Sequence, residues 1–232
     1  MEAIILAGGL GTRLRSVVKA VPKCMAPVCN QPFLYYQLQY LSKFKEIDHV
    51  ILSVGYLREV IFDWMEGREY PFEVSYAIEE TPLGTGGGIK LALRQVRGNE
   101  VIILNGDTFF NVNLTELVST RKEDAAITLV LKEMENFDRY GTVTLSDQSI
   151  IEQFNEKKPC EKGLINGGVY HINLKNFPID LIPDKGSFEK DVLEAHVANH
   201  ILQGYISSAY FIDIGIPTDY QKANNDFREL FQ

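Results

Sequence analysis

Gly8, Gly9 and Gly11, with Thr12, Arg13 and Lys23 behind them, are the first residues whose types and spacing could do chemistry. Glycines lack side chains, so successive backbone N–H groups can converge on an anion and approach it closely, while Arg13 and Lys23 add positive charge nearby. The chemistry that fits is phosphate binding, with a plain tight turn as the alternative that spacing alone leaves open. Two named phosphate loops are excluded. A dinucleotide fingerprint needs glycine where Leu14 stands, and a Walker loop needs a Gly-Lys-Ser/Thr triplet that does not follow.

A second group, Gly84, Gly86, Gly87 and Gly88 with Thr85 among them, comes after Glu79-Glu80-Thr81-Pro82-Leu83 and before the helical pattern Ile89, Leu91, Ala92, Val96. It predicts a flexible loop at a helix N-terminus, and two such loops from neighbouring strands can enclose one base and its ribose. Two acids stand at the ends of apolar runs: Asp107 after Val101 to Leu104, and Asp213 after Ala209 to Ile212. An acid beside a core is unfavourable unless something compensates it, and a divalent cation on a triphosphate would do so. Asp107 lies too far upstream to cap a helix starting near Asn113; Asp213 could equally be a turn former before Gly215. Glu79 and Glu80, just ahead of the second glycine group, are carboxylates that can accept two neighbouring N–H groups together, or they are solvated turn residues. His196 and His200 have zinc-ligand spacing, but Val197 stands where H-E-x-x-H needs glutamate, and His49 and His171 fall within strands and form no triad pattern.

The elements that must hold these residues alternate. Ala3 to Leu6 and His49 to Val54 read as buried strands and Phe72 to Ile78 as an alternating one, with helices begun by Pro32 (Leu34, Leu38, Leu41, Phe44) and over Tyr56 to Met65. Such βα alternation predicts a mainly parallel sheet covered on both faces, with a nucleotide beyond the carboxyl ends of the strands. After a helix over Thr115 to Arg121, strands dominate: Ala126 to Lys132, Gly141 to Leu145, Ile150 to Phe154 and Leu164 to Ile172. The glycines Gly167 and Gly168 weaken the last of these unless something must come close, which points to a ligand face. Ser187 to Val197 reads as a serine-capped structural helix, and Pro217 starts a final helix with Tyr220, Ala223, Phe227 and Leu230 inward.

The 232 residues are 45% hydrophobic and 23% charged, ordinary for a globular enzyme, and a single domain is expected. A net charge of −8 argues against a nucleic-acid partner. No apolar run approaches a membrane span and Glu2 stands where a signal peptide would be basic, so no membrane partner is expected. Cys24, Cys29 and Cys160 form no C-x-x-C pair, which fits a reducing, cytoplasmic setting. A homodimer is compatible with the chain.

Taken together, L-A-G-G-x-G-T-R-L, Pro22-Lys23, Met25-x-Pro27-Val28, P-L-G-T-G-G, N-G-D-T, Tyr140-Gly141, Phe154-Asn155-Glu156-Lys157, Asn166-Gly167-Gly168-Val169-Tyr170 and F-I-D-I-G-x-P-x-D-Y resemble the sugar nucleotidyltransferases, in family order and over nearly the whole chain. The resemblance implies an α/β Rossmann-like three-layer sandwich with a mixed, mainly parallel sheet, spanning residues 1–232. It implies an enzyme that joins a nucleoside triphosphate to a sugar 1-phosphate and releases pyrophosphate. Nucleotide binding would fall to Leu6, Ala7, Gly8, Gly9, Gly11, Thr12, Arg13, Glu79, Gly84 and Thr85, with Arg13, Lys23 and Asp107 catalytic. Mg²⁺ would sit on Asp107 and Asp213; Gly141, Glu156, Lys157 and Asn166 would bind the sugar phosphate. A second lysine, Lys158, interrupts the usual E-K-P pattern, and Lys157 keeps the Glu–Lys pair adjacent. F-E-K-D resembles a family helix of structural role. The wording E-E-x-P-L-G-T-G-G most resembles guanylyltransferases of heptose or mannose 1-phosphate, with uridylyl- and thymidylyltransferases as the alternative. A glycosyltransferase would usually show D-x-D, where Asn105-Gly106-Asp107 has one acid, and a non-catalytic binding relative should have lost Arg13, Lys23, Asp107 or Asp213.

Overall fold

The computed structural model describes residues 1–9, 14 and 21–231. In chain order its first half runs β1 (Glu2–Leu6), a 3₁₀ turn (Lys23–Met25), β2 (Pro27–Val28), β3 (Gln31–Pro32), α1 (Phe33–Leu41), β4 (His49–Val54), α2 (Arg58–Met65), β5 (Glu73–Ile78), α3 (Gly84–Leu93) and β6 (Glu100–Asn105). Then come β7 (Thr108–Phe110), α4 (Leu114–Thr120), β8 (Ile127–Phe137), β9 (Val143–Leu145), β10 (Ile151–Phe154) and β11 (Cys160–Asn173). Short 3₁₀ and π-helical turns lead to β12 (Leu202–Ser207), β13 (Phe211–Asp213) and α5 (Pro217–Leu230).

Uninterrupted Ile, Leu and Val runs need cover on both faces, so they make the middle of the sheet. The seven-stranded order is β12-β8-β11-β6-β1-β4-β5, with β1 parallel to both β4 and β6. β11 runs antiparallel to its two neighbours and the other pairings in this sheet are parallel, as expected for a mixed, mainly parallel sheet. Register places Leu6 opposite Ser53 and Asn105, so the loops after β1, β4 and β6 leave the sheet at one edge.

The period of two along β1 divides its side chains between layers. Ala3 and Ile5 join a core with α1, α2, α4 and α5, whereas Ile4 joins α3 and the segment around Phe177, Phe188 and Val192 on the opposite face. In the first layer Phe33, Tyr36, Tyr40, Phe109 and Phe227 pack ring against ring at centroid distances of 4.7–5.9 Å. The buried phenols are satisfied: Tyr36 donates to Val28 O and Tyr40 to Val112 O, each at 2.8 Å. No helix among the described residues is long and apolar enough to cross a membrane.

Four local expectations need correcting. Gly84, Gly86, Gly87 and Gly88 lie inside the first turns of α3 and form no loop ahead of it. Glycine is required there by packing: a Cβ on Gly84 would lie 2.3 Å from Gly186 O and one on Gly87 2.4 Å from Asp184 O. The glycines of β11 face protein where a ligand was expected, because a Cβ on Gly167 would meet the Phe110 ring at 2.5 Å and one on Gly168 the Asn105 amide at 2.8 Å. The region after Ser187 keeps its serine cap, Ser187 Oγ accepting from Lys190 N, but winds as a π-helical turn over Glu189–Glu194 that buries both Val192 and Leu193. In α5, Ala223 and Phe227 are buried as expected, while Leu230 is exposed.

Candidate active site

The small antiparallel ladder of β7 with β13 brings the two strand-end acids together. Asp213 is paired in register with Thr108, and Ile214 N donates to Asp107 O at 2.9 Å. Lys23 enters from the 3₁₀ turn after Pro22, its ammonium bonded to Asp107 Oδ2 and 3.7 Å from Asp213 Oδ1. Two carboxylates and one ammonium therefore share a half-buried spot. Burial, and then the charge of Asp107, push the Asp213 carboxyl above the usual range, against the pull of Lys23, the Gly215 N–H and Arg139. Asp213 Oδ1 accepts from Gly215 N at 2.7 Å and Oδ2 from the Tyr140 hydroxyl at 3.3 Å, with Arg139 Nη2 3.8 Å away. Arg139 is in turn ion-paired with Asp219 of α5.

From this cluster a cleft of about 830 Å³ opens along the carboxyl ends of β1, β4, β5 and β6. Leu6, Ala7, Gly8, Gly9, Lys23, Glu79, Gly84, Thr85 and Asp107 are among the residues that line it. The Glu79 carboxylate accepts from Leu83 N at 3.0 Å and from Ser53 Oγ at 3.3 Å, and it presses on Gly8 and Gly88, where a Cβ would approach within 2.9 and 2.8 Å. Glu80 also borders the cleft, but it is exposed and paired with Arg58 at 3.0 Å. Cys24 also borders the cleft, but burial pushes its thiol up to about 12, so it stays protonated and is no nucleophile.

Gly11, Thr12 and Arg13 lie outside the described residues. Asp213 stands behind Lys23 and is not among the residues lining the cleft; nor are Gly141, Glu156, Lys157 and Asn166. Gly141 packs on the Asn155 carbonyl, where a Cβ would lie 2.3 Å away. Glu156, Lys157 and Lys158 are exposed after β10, and Asn166 bonds Tyr170 and Gly168 N at 3.0 Å. Ser53, Gly55, Arg58, Glu59 and Glu189 also line the cleft, and no sequence pattern marks the first four. Glu189 of the F-E-K-D segment borders the cleft and accepts from Thr85 Oγ1 at 3.0 Å, where the motif was read as structural; an acid so close behind the capping Ser187 was the available signal.

A cleft of nucleotide size at the carboxyl edge of a parallel sheet, ending in a lysine between two acids, can hold a nucleotide and neutralise charge developing at its phosphates. Fold and site together fit a nucleotidyltransferase. Residues 2–229 match the family model described as nucleotidyl transferase, and the chain belongs to that family. It is 48% identical over 229 residues to D-glycero-alpha-D-manno-heptose 1-phosphate guanylyltransferase of Aneurinibacillus thermoaerophilus, covering 98% of this chain and 99% of that one. Its identity to the enzyme of the same name from Campylobacter jejuni is 44% over 220 residues, covering 95% and 97%. Among solved structures, HddC from Yersinia pseudotuberculosis complexed with GMP-PN superposes with a TM-score of 0.84 at 34% identity, covering 97% of this chain and 99% of that one.

Proposed function

We propose that the protein transfers a guanylyl group from GTP to D-glycero-α-D-manno-heptose 1-phosphate, releasing pyrophosphate. The observation that carries the reaction is the Lys23 ammonium held between Asp107 and Asp213 at the end of the cleft. Near-full-length similarity to two heptose 1-phosphate guanylyltransferases supports the choice of substrates. Glu79, which lines the cleft and has acceptor capacity left after its two hydrogen bonds, reads the guanine N–H pair. Gly84 and Thr85 border the base and ribose. The glycine loop from Leu6 to Gly9, continued by Gly11, Thr12 and Arg13, holds the phosphates. On the sugar side, the peptide at Gly141 and the side chains of Glu156, Lys157 and Asn166 take the heptose phosphate, with exposed Glu156 and Lys157 coming in on the bound substrate.

Asp107 and Asp213 fit a Mg²⁺ ion: they are hard oxygen donors already sharing one cation, and among the described residues no cluster of three metal-binding side chains exists. Two carboxylates plus substrate phosphates is the usual Mg²⁺ arrangement. When bound, the ion would neutralise phosphate charge in the displacement. Lys23 stabilises charge at the α-phosphate, and the glycine loop and Arg13 hold the triphosphate in line with the attacking oxygen of the sugar phosphate. No residue becomes covalently modified. The reaction belongs in the cytoplasm, where nucleoside triphosphates are made. The test is a pyrophosphate-release screen crossing the four nucleoside triphosphates with a panel of sugar 1-phosphates. GTP with the heptose 1-phosphate should be the best pair; UTP, CTP or dTTP exceeding GTP with every sugar would refute the base assignment.

A further inference from the structure

Gln37 projects from α1 and is fully buried. Its Nε2 donates to Asn105 O at 2.8 Å and to Thr108 O at 3.0 Å, the two carbonyls that flank Gly106-Asp107. The orientation of the amide is settled by these partners, because the opposite one would set an oxygen against two carbonyls. Its Oε1 has no hydrogen-bond partner among the described residues. A buried polar atom left unpaired opposes folding, so an apolar side chain of the same size would suit α1 better if packing were its whole task. What the amide adds is a grip on the turn that carries Asp107.

Three links fix that turn. Gly106 N donates to Leu6 O at 3.1 Å, which ties it to β1, and a Cβ on Gly106 would lie 2.1 Å from the same carbonyl. Ile214 N donates to Asp107 O, which ties it to the Asp213 strand. Gln37 supplies the third link, to α1. The same helix also braces Lys23, since Phe33 N donates to Ala26 O and Ala26 N to Lys23 O, each at 3.0 Å. Lysine and acid are thus referenced to one rigid element.

We infer that Gln37 is a positioning residue: it sets the Asp107 carboxylate for the divalent cation and the reacting phosphates. The inference rests on the reading of Asp107 as a metal ligand. Partners one step behind a ligand typically change metal affinity or activity by about 10–100-fold when removed. Gln37→Met keeps the volume and loses both donors. Its Mn²⁺ affinity, measured by electron paramagnetic resonance with a non-hydrolysable GTP analogue, should fall by roughly tenfold, and kcat should fall by ~10–100-fold with KM for both substrates little changed. Gln37→Glu regains one donor when its buried carboxyl is protonated, so its turnover relative to the native enzyme should rise as pH is lowered.

Asp107→Asn in the same Mn²⁺ assay separates the two readings. If Asp107→Asn binds Mn²⁺ as the native protein does, the metal reading fails and this inference falls with it. If Asp107→Asn loses Mn²⁺ while Gln37→Met retains native affinity, the inference about Gln37 alone is overturned. Should Gln37→Met fail to fold, Gln37→Glu decides: a relative turnover independent of pH overturns the inference, and a rise at low pH supports it.

Discussion

Lys23 Nζ lies 3.7 Å from Asp213 Oδ1 while bonded on its other side to Asp107. Like charges in a half-buried site repel, so the lysine holds the pair of acids together as well as facing the cleft. Lys23→Ala should lower kcat by ~10²–10³, the usual effect of removing one preorganised charge donor. The variant's melting temperature should also rise more than that of the native protein when MgCl₂ is added, because a second cation then relieves the unshielded acids. A change confined to KM for the sugar phosphate would reduce Lys23 to a substrate-positioning role.

Asp107→Asn and Asp213→Asn should each lower turnover by orders of magnitude, with folding retained, since both side chains stand at strand ends. Circular dichroism checks the fold. Near-native turnover by either variant at limiting magnesium would remove that residue from the metal site.

Glu79 and Glu80 are adjacent in sequence and both border the cleft, Glu79 half-buried and Glu80 exposed. Glu79→Gln should erode the preference for GTP over the other triphosphates, because a carboxamide cannot accept two N–H groups together. Glu80→Gln should leave that preference intact, its carboxylate being exposed and paired with Arg58. The ratio of kcat/KM for GTP and UTP is the readout. Equal ratios in all three proteins would take base reading away from this segment.

His171 is 1% exposed in β11, and burial pulls its pKa down to about 4, with Glu100 opposing the shift. The folded imidazole stays neutral where the unfolded one protonates, so the unfolded state binds more protons between about pH 6.5 and pH 4. Stability from this group is complete above pH 6.5 and is lost as pH falls, at up to roughly 1.4 kcal/mol per pH unit. Urea midpoints should therefore fall less steeply between pH 7 and 4.5 in His171→Leu than in the native protein. Parallel curves would place the acid sensitivity elsewhere.

Much of the site can be read in the chain because it sits where local patterns end. Leu6 to Gly9 and Asp107 follow apolar runs at the carboxyl edge of the parallel sheet, a place that period and punctuation define, and Asp213 follows an apolar run at the end of β13. What was hidden depends on the approach of distant segments. Leu202–Ser207 does not look like a strand because Gln203 and Gly204 interrupt it. Yet Gln203 Oε1 accepts from Lys122 N at 2.8 Å, and Gly204 is needed where a Cβ would meet Leu131 and Leu145 at 2.7 Å. Likewise, nothing local marks Gln37 among the apolar positions of α1, or Arg139 before Tyr140, because their partners lie in β6, β7 and α5.

The most direct test of direct guanylyl transfer follows oxygen. GTP is incubated with D-glycero-α-D-manno-heptose 1-phosphate carrying ¹⁸O in its non-bridging phosphate oxygens, and the products are read by ³¹P NMR. In-line attack by the sugar phosphate on the α-phosphorus places one ¹⁸O in the P–O–P bridge of a guanosine diphosphate sugar and leaves pyrophosphate unlabelled. Label in the pyrophosphate, or no guanosine diphosphate sugar at all, would contradict the account.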